Sequence, residues 1–255
     1  MLALVTGASR GIGRAVAIAL AEAGHDVVAT MRKPEDGTDL AYHGITVERL
    51  DVTEPDSIAI PDGLGILVNN AGVEGPMLPV EHHPISDWRW MFETNVFGLL
   101  EVTRRAIPAM RANGAGVVVN VTTGALPVAM PFYAVYRASK AAVGAMSESL
   151  RAEMAPFGIR VLEVVPGPID TDMLASSGRV PEAVDHGGYE ELAKRAHAGR
   201  HAVDPMTTPV DEAAARIVAA IEDPDVNGRV ACDSLGEQIL TQWARDPASM
   251  LNGPW

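Results

Sequence analysis

The sequence predicts an α/β fold, a doubly wound parallel sheet of about seven strands between two helical layers, three layers in all. Three observations predict it. Short runs of β-forming residues alternate along the chain with stretches of helical period. Hydrophobic residues make up 47% of the chain but aromatics only 5%, a mixture that suits buried parallel strands under alanine-rich helices. A length of 255 residues allows one large domain and is short for two. No repeat or linker interrupts the alternation, so residues 1–255 are expected to form a single domain.

The elements follow in order. Leu2 to Thr6 reads as the first strand, and Gly11 to Ala23 as a helix ended by Gly24. Val27 to Thr30 and Thr46 to Leu50 read as the next two strands, the latter ending at Asp51. Ile66 to Asn69 is the fourth strand. The stretch from Asp51 to Ile66, interrupted by Pro55 and Pro61, has room for at most a stub of helix. Residues 85–111 have a helical pattern that Pro108 is expected to kink or end. Val117 to Val121 is the fifth strand, Tyr136 to Ala155 a long alanine-rich helix, and Arg160 to Val165 the sixth strand. Asp211 to Ile221 forms another helix, and Gly228 to Asp233 a seventh strand. Only residues 173–206 break the rhythm. In a doubly wound sheet, ligands sit outside the carboxyl ends of the strands, so this irregular segment is expected to be a substrate lid.

The net charge of −13 argues against nucleic acid or an anionic membrane as a partner. A single cysteine, Cys232, excludes an intramolecular disulfide and suits a reducing compartment. The N-terminus has no signal-peptide pattern, and no apolar run reaches membrane-spanning length. A cytoplasmic location is expected. His82, His83, His197 and His201 lack a convincing set of further ligands, so no metal site is expected.

The first strand runs into Thr6-Gly7-Ala8-Ser9-Arg10-Gly11-Ile12-Gly13, and a helix follows. Glycines permit the tight turn and let backbone N–H groups approach a pyrophosphate, and the positive end of the helix favours the anion. Gly7, Ser9, Arg10, Gly11, Ile12 and Gly13 are therefore candidate cofactor residues. The G-x-x-x-G-x-G spacing differs from that of a P-loop, and no Lys-Ser or Lys-Thr follows it. An acidic residue ending the second strand would hold the ribose hydroxyls of NAD. This chain has Thr30-Met31-Arg32-Lys33 there. Arg10 and Arg32 can neutralise a 2′-phosphate instead, which favours NADP(H) over NAD(H).

Tyr136-Arg137-Ala138-Ser139-Lys140 places Tyr136 and Lys140 four apart at the start of a helix, on one face. A free tyrosine titrates near pH 10, too high for a neutral-pH acid or base, and a lysine cation beside it favours the phenolate. By itself, Tyr-x-x-x-Lys is a thin motif; its weight comes from the glycine turn upstream.

Together these motifs resemble the short-chain dehydrogenase/reductase family, in its shorter single-domain branch with a Rossmann-type fold. The likeness runs from Thr6 to about Cys232. It includes Thr6-Gly7-x3-Gly11-x-Gly13, Asp51-Val52, Asn69-Asn70-Ala71-Gly72, Asn95, Tyr136-x3-Lys140 and Pro166-Gly167. Pro131-Phe132-Tyr133-Ala134-Val135-Tyr136 looks most like certain hydroxysteroid and retinol dehydrogenases. The resemblance implies Tyr136 as general acid for carbonyl reduction and base for alcohol oxidation. It implies that Lys140 binds the nicotinamide ribose and that Asn95 holds a water in a proton relay behind Lys140. Asp51 and Val52 would meet the adenine, and Asn70, Ala71 and Gly72 the adenosine side. Pro166, Gly167, Ile169 and Thr171 would frame the nicotinamide, with the Thr171 hydroxyl reaching its carboxamide. A homodimer or homotetramer is implied as well.

One departure bears on the chemistry. The family usually has a serine thirteen residues before its tyrosine; here that position is Thr123, whose extra methyl intrudes on the pocket. Retained activity with an altered substrate range is expected. The reading is an NADP-dependent enzyme interconverting a small-molecule ketone or aldehyde and an alcohol. Alternatives are a 3-oxoacyl thioester reductase of the same family and a non-catalytic NADP sensor in which Thr123 marks a decayed site. A dehydratase or epimerase fits less well, since those branches have a differently spaced turn and a larger C-terminal part.

Overall fold

In a computed structural model of the chain, residues 1–246 are described. Seven strands, β1 (Leu2–Thr6), β2 (Asp26–Met31), β3 (Thr46–Arg49), β4 (Leu64–Asn69), β5 (Gly116–Val121), β6 (Ile159–Val164) and β7 (Gly228–Val230), form one sheet. All pairings are parallel, and the order is β3-β2-β1-β4-β5-β6-β7. The helices are α1 (Gly11–Glu22), α2 (Ile85–Phe92), α3 (Leu99–Asn113), α4 (Ala134–Met154), α5 (Asp172–Ser177), α6 (Glu190–His201), α7 (Val210–Glu222) and α8 (Ser234–Arg245).

Alternation along the strands divides the core into two layers. Val5, Val68 and Val119 pack with Val16 and Leu20 of α1 and with Ile217 and Ile221 of α7 on one face. Leu4, Leu67 and Val118 pack with Val102, Ala106 and Met110 of α3 and with Leu150 and Met154 of α4 on the other. The strand order reverses between β1 and β4, which opens a crevice at their carboxyl ends.

The helical stretch at 85–111 is two helices joined by a π turn over Glu93–Gly98. Pro108 neither ends nor divides α3, which continues to Asn113 and stops at Gly114 in the left-handed conformation. The buried stripe of Val102, Ala106 and Met110 holds the helix on the sheet and offsets the backbone bond that proline removes.

The segment 173–206 is not irregular. It contains most of α5, all of α6, and short 3₁₀ turns. Its helical signal is weak because α6 buries only Ala193 and Gly199, which leaves no aliphatic stripe to read. α8 was not expected from the sequence; its N-cap is Asp233, accepting from the Gly236 N–H at 2.8 Å. Between β3 and β4 there is one 3₁₀ turn, Pro55–Ser57, the stub the prolines allow. Among the described residues no helix is long and apolar enough to cross a membrane.

Candidate active site

A cleft of about 1250 Å³ opens at the carboxyl ends of the strands. Of the candidate residues, all but Gly13 and Asn95 line it, and those two lie behind its wall.

The turn after β1 is held from behind by β4. The Asn70 side-chain amide donates to the Thr6 and Gly7 carbonyls, both at 3.0 Å. The Thr6 hydroxyl oxygen accepts from the Asn70 and Ala71 N–H groups, both at 3.1 Å. Asn70 thus braces the turn as well as lining the cleft. Gly7 has φ +66°. A Cβ on Gly13 would lie 2.2 Å from Asn70 Nδ2 and 2.6 Å from the Gly7 carbonyl, so the packing leaves no room for one.

The N-terminus of α1 carries no side-chain cap and no acidic residue in its first turn. Its N–H groups and positive end therefore face the cleft unsatisfied by the chain, which fits a pyrophosphate. Arg10 lies 3.7 Å from Asp172, with both side chains well exposed. Arg32 is exposed at the cleft mouth and has no ion pair among the described residues. Arg14, by contrast, is engaged by Asp39. Asp51 Oδ1 accepts from the Thr53 N–H at 2.9 Å and its hydroxyl at 2.8 Å, and Val52 packs against Gly98.

Tyr136 and Lys140 start α4 and face the cleft. Tyr136 faces the Thr123 hydroxyl, which favours its phenolate, and meets the Tyr133 ring edge-on, with centroids 5.9 Å apart. In the chain alone, the Tyr136 phenol is pushed up rather than down. Burial is the main cause, and negative charge on Glu74 adds to it. The expected downward pull of Lys140 is not among the influences on the phenol, and the Lys140 ammonium donates to the Val121 carbonyl at 2.8 Å. Burial brings Lys140 itself down to about 8.

That shift has a consequence for stability. At pH 7 folded and unfolded chains both hold the Lys140 proton, and burying the cation costs the folded state about 3 kcal/mol. From pH 8 upwards the folded chain releases that proton while the unfolded one keeps it to about 10.5. The cost is relieved across that window, and stability rises. Lys140→Met is therefore expected to be more stable than wild type at pH 7 by about 2 kcal/mol, the lost bond to Val121 offsetting the rest. The gap should close by about pH 10.5. Thermal melts of both proteins across that range test this, and equal melting at pH 7 refutes it.

Asn95 is fully buried in the π turn. Its amide donates to the Val73 carbonyl at 2.9 Å and to Ser139 Oγ at 3.0 Å, and its Oδ1 accepts from the Val73 N–H at 2.8 Å. Both amide protons are taken, so a water held by Asn95 would meet its backbone carbonyl or Oδ1. Ser139 in turn donates to the Tyr136 carbonyl at 2.7 Å. Gly72 lies between these groups, and a Cβ there would be 3.3 Å from Asn95 Oδ1 and 3.4 Å from Lys140 Nζ.

On the other wall, the Gly167 N–H donates to Asp233 at 2.7 Å, which ties the Pro166-Gly167 turn to α8. Ile169 is buried and bridges to Thr208. The Thr171 hydroxyl is the N-cap of α5: it accepts from the Leu174 N–H at 3.3 Å and donates to the Ile169 carbonyl at 3.2 Å.

The sequence reading passed over Glu74, Tyr133, Ser139, Arg200 and Asp233. Ser139 lies inside the Tyr136–Lys140 motif, Tyr133 inside the stretch leading to it and Asp233 at the end of the expected seventh strand; Glu74 and Arg200 come from segments without a pattern. Among the described residues no group of three or more His, Cys, Asp or Glu side chains could hold a metal. His82 stacks on His186 at 4.4 Å, and His197 meets His201 with Nε2 atoms 3.2 Å apart. Burial pushes the Cys232 thiol up to about 12, which makes it a poor nucleophile.

Residues 1–181 match the family model described as short chain dehydrogenase. The Bacillus subtilis oxidoreductase YusZ is 36% identical over 69% of this chain and 68% of its own. Serine 3-dehydrogenase of Agrobacterium fabrum is 34% identical over 72% of this chain and 78% of its own. Among solved structures, a Burkholderia cenocepacia short-chain dehydrogenase in complex with NADP superposes with TM-score 0.74. It is 31% identical and covers 96% of this chain and 93% of its own.

Proposed function

The chain belongs to the short-chain dehydrogenase family, oxidoreductases acting on alcohol or carbonyl groups, and on that premise we propose that it interconverts a ketone or aldehyde and an alcohol with NADP(H). The observation that carries this reading is the placement of Tyr136, Thr123 and Lys140 together on the cleft wall. The glycine turn and the uncapped α1 fit the cofactor's pyrophosphate, and Gly167, Ile169 and Thr171 fit its nicotinamide end. When bound, the nicotinamide supplies or accepts the hydride.

Tyr136 gives the substrate oxygen its proton in reduction, a task suited to a phenol that burial keeps protonated. Thr123 donates a second hydrogen bond to the same oxygen, where charge develops. Lys140 supplies positive charge beneath Tyr136 and, with Asn95, the route by which the proton is replaced. Residues 173–206 form the lid over the substrate end. Phe97 and Leu100, apolar and exposed beside the π turn, support a homodimer or homotetramer.

The test is NADPH oxidation over a panel of ketones and aldehydes. Turnover that depends on Tyr136 supports the reading; tight NADPH binding without turnover across the panel supports the sensor. Cofactor preference has its own test. Replacing Arg10 and Arg32 together with neutral residues is expected to weaken NADPH by about 30-fold, from two lost charge-assisted contacts, and NADH much less. Equal losses for the two would refute the assignment.

A further inference from the structure

The substrate end of the cleft contains a carboxylate for which the proposed proton chemistry has no use. Glu74 follows Gly72-Val73 and lines the cleft with Tyr133, Tyr136 and Arg200. Its Oε1 accepts the Ser176 hydroxyl of α5. Among the described residues nothing donates a hydrogen bond to its Oε2.

The charged groups around it are occupied elsewhere. Arg200 donates to Asp204 at 2.9 Å, Ser177 Oγ at 3.3 Å and the Leu174 carbonyl at 3.4 Å. Arg179 is exposed and gives its Nε to the Ser176 carbonyl at 2.8 Å. Glu182 accepts from the Met77 N–H at 2.9 Å. Ser177, beside Tyr133, donates to the Leu174 carbonyl at 2.8 Å. The remaining lining at this end includes Val128, Met130, Met173, Leu174 and Ile239, which are apolar. The open polar valence beside Tyr136 is thus a hydrogen-bond acceptor with negative charge. Burial raises the Glu74 carboxyl above its usual range, while the charges of Arg179 and Arg200 pull it the other way, and the Glu74 charge in turn raises both phenols.

We propose that Glu74 determines specificity by binding an ammonium group close to the carbinol carbon, so that the enzyme's substrate is an amino alcohol or the matching amino carbonyl compound. This rests on the alcohol/carbonyl reading of the cleft. An ammonium presents three donors and a full charge, and a partly buried carboxylate holds it by a charge-assisted bond. The amine is unchanged in the reaction. The carbinol carbon loses hydride to NADP⁺, its hydroxyl passes a proton to the Tyr136 oxygen as the proton that oxygen held leaves by the Lys140 and Asn95 route, and C–O becomes C=O.

The test uses three alcohols on one skeleton, 1-amino-2-propanol, 1,2-propanediol and lactate, with NADP⁺ reduction followed at neutral pH. Wild type is expected to favour the amine over the diol by about 10- to 100-fold in kcat/KM, with lactate last. Glu74→Gln should bring the amine-to-diol ratio close to one and raise lactate relative to the diol. Ser176→Ala, which unfastens α5 but keeps the carboxylate, should preserve the wild-type ratio.

Diol turnover without amine preference in wild type overturns the proposal and leaves the alcohol/carbonyl reading intact. So does a Glu74→Gln loss equal for all three alcohols, which makes Glu74 only a fastening of the lid. Absence of turnover on these alcohols and on the carbonyl panel, with NADP⁺ bound, overturns both.

Discussion

Tyr136→Phe is expected to lower kcat by about a thousandfold, within the range that a positioned general acid contributes, while NADPH affinity changes by less than about twofold. The substitution removes one oxygen, the one that faces Thr123 and the cleft. It leaves the ring, which meets Tyr133 edge-on. The first turn of α4 is held by other bonds, from Ser139 to the Tyr136 carbonyl and from Arg137 to the Ala125 and Leu126 carbonyls, both at 2.9 Å. The fold therefore has no reason to change, and the melting temperature should stay within a degree or two. Single-turnover NADPH oxidation and a fluorescence titration of the cofactor measure the two halves separately. A variant retaining a tenth of wild-type turnover would remove Tyr136 from the proton transfer.

Gly13→Ala is expected to act on the cofactor turn. The added methyl meets Asn70 Nδ2 at 2.2 Å and the Gly7 carbonyl at 2.6 Å. Neither can yield alone, because Asn70 Nδ2 is already donating to Thr6 and Gly7. Displacing it frees two carbonyls and opens the turn. Overpacking of this kind costs about 3 kcal/mol, which lowers the melting temperature by roughly 6–12 °C for a chain of this size. NADPH affinity is expected to fall by at least about a hundredfold, since the α1 N–H groups lose their common direction. Calorimetry of NADPH binding and a thermal melt check both. Wild-type affinity in a folded Gly13→Ala protein would refute this account of the turn.

Much of the fold was legible because its causes are local. The alternation of β-formers with helical periods marked all seven strands and the parallel pairing that helical crossovers allow. Where the local signal was weak, the reading erred. Pro108 looked like a stop, but the buried face of α3 carries the helix through it. Residues 173–206 looked irregular, but small residues let α6 pack without an aliphatic stripe. α8 lies past a stretch read as a strand up to Asp233, where β7 in fact ends at Val230 and Asp233 caps the helix through the Gly236 N–H.

By itself the sequence determined the succession of the seven strands, the glycine turn opening α1, and the pairing of Tyr136 with Lys140 on one face. These depend on spacings of a few residues, which chain geometry converts directly into position. Only the tertiary structure decided how those groups are partnered. Asn95 reaches Ser139 across 44 residues, and Glu74 reaches Ser176 across 102. Lys140 turns to Val121, and burial raises the phenol it was expected to depress. The reason is physical: charge, solvation and hydrogen-bond partners depend on what packs around a group. That environment comes from segments far apart in the chain, brought together only when both helical layers close on the sheet.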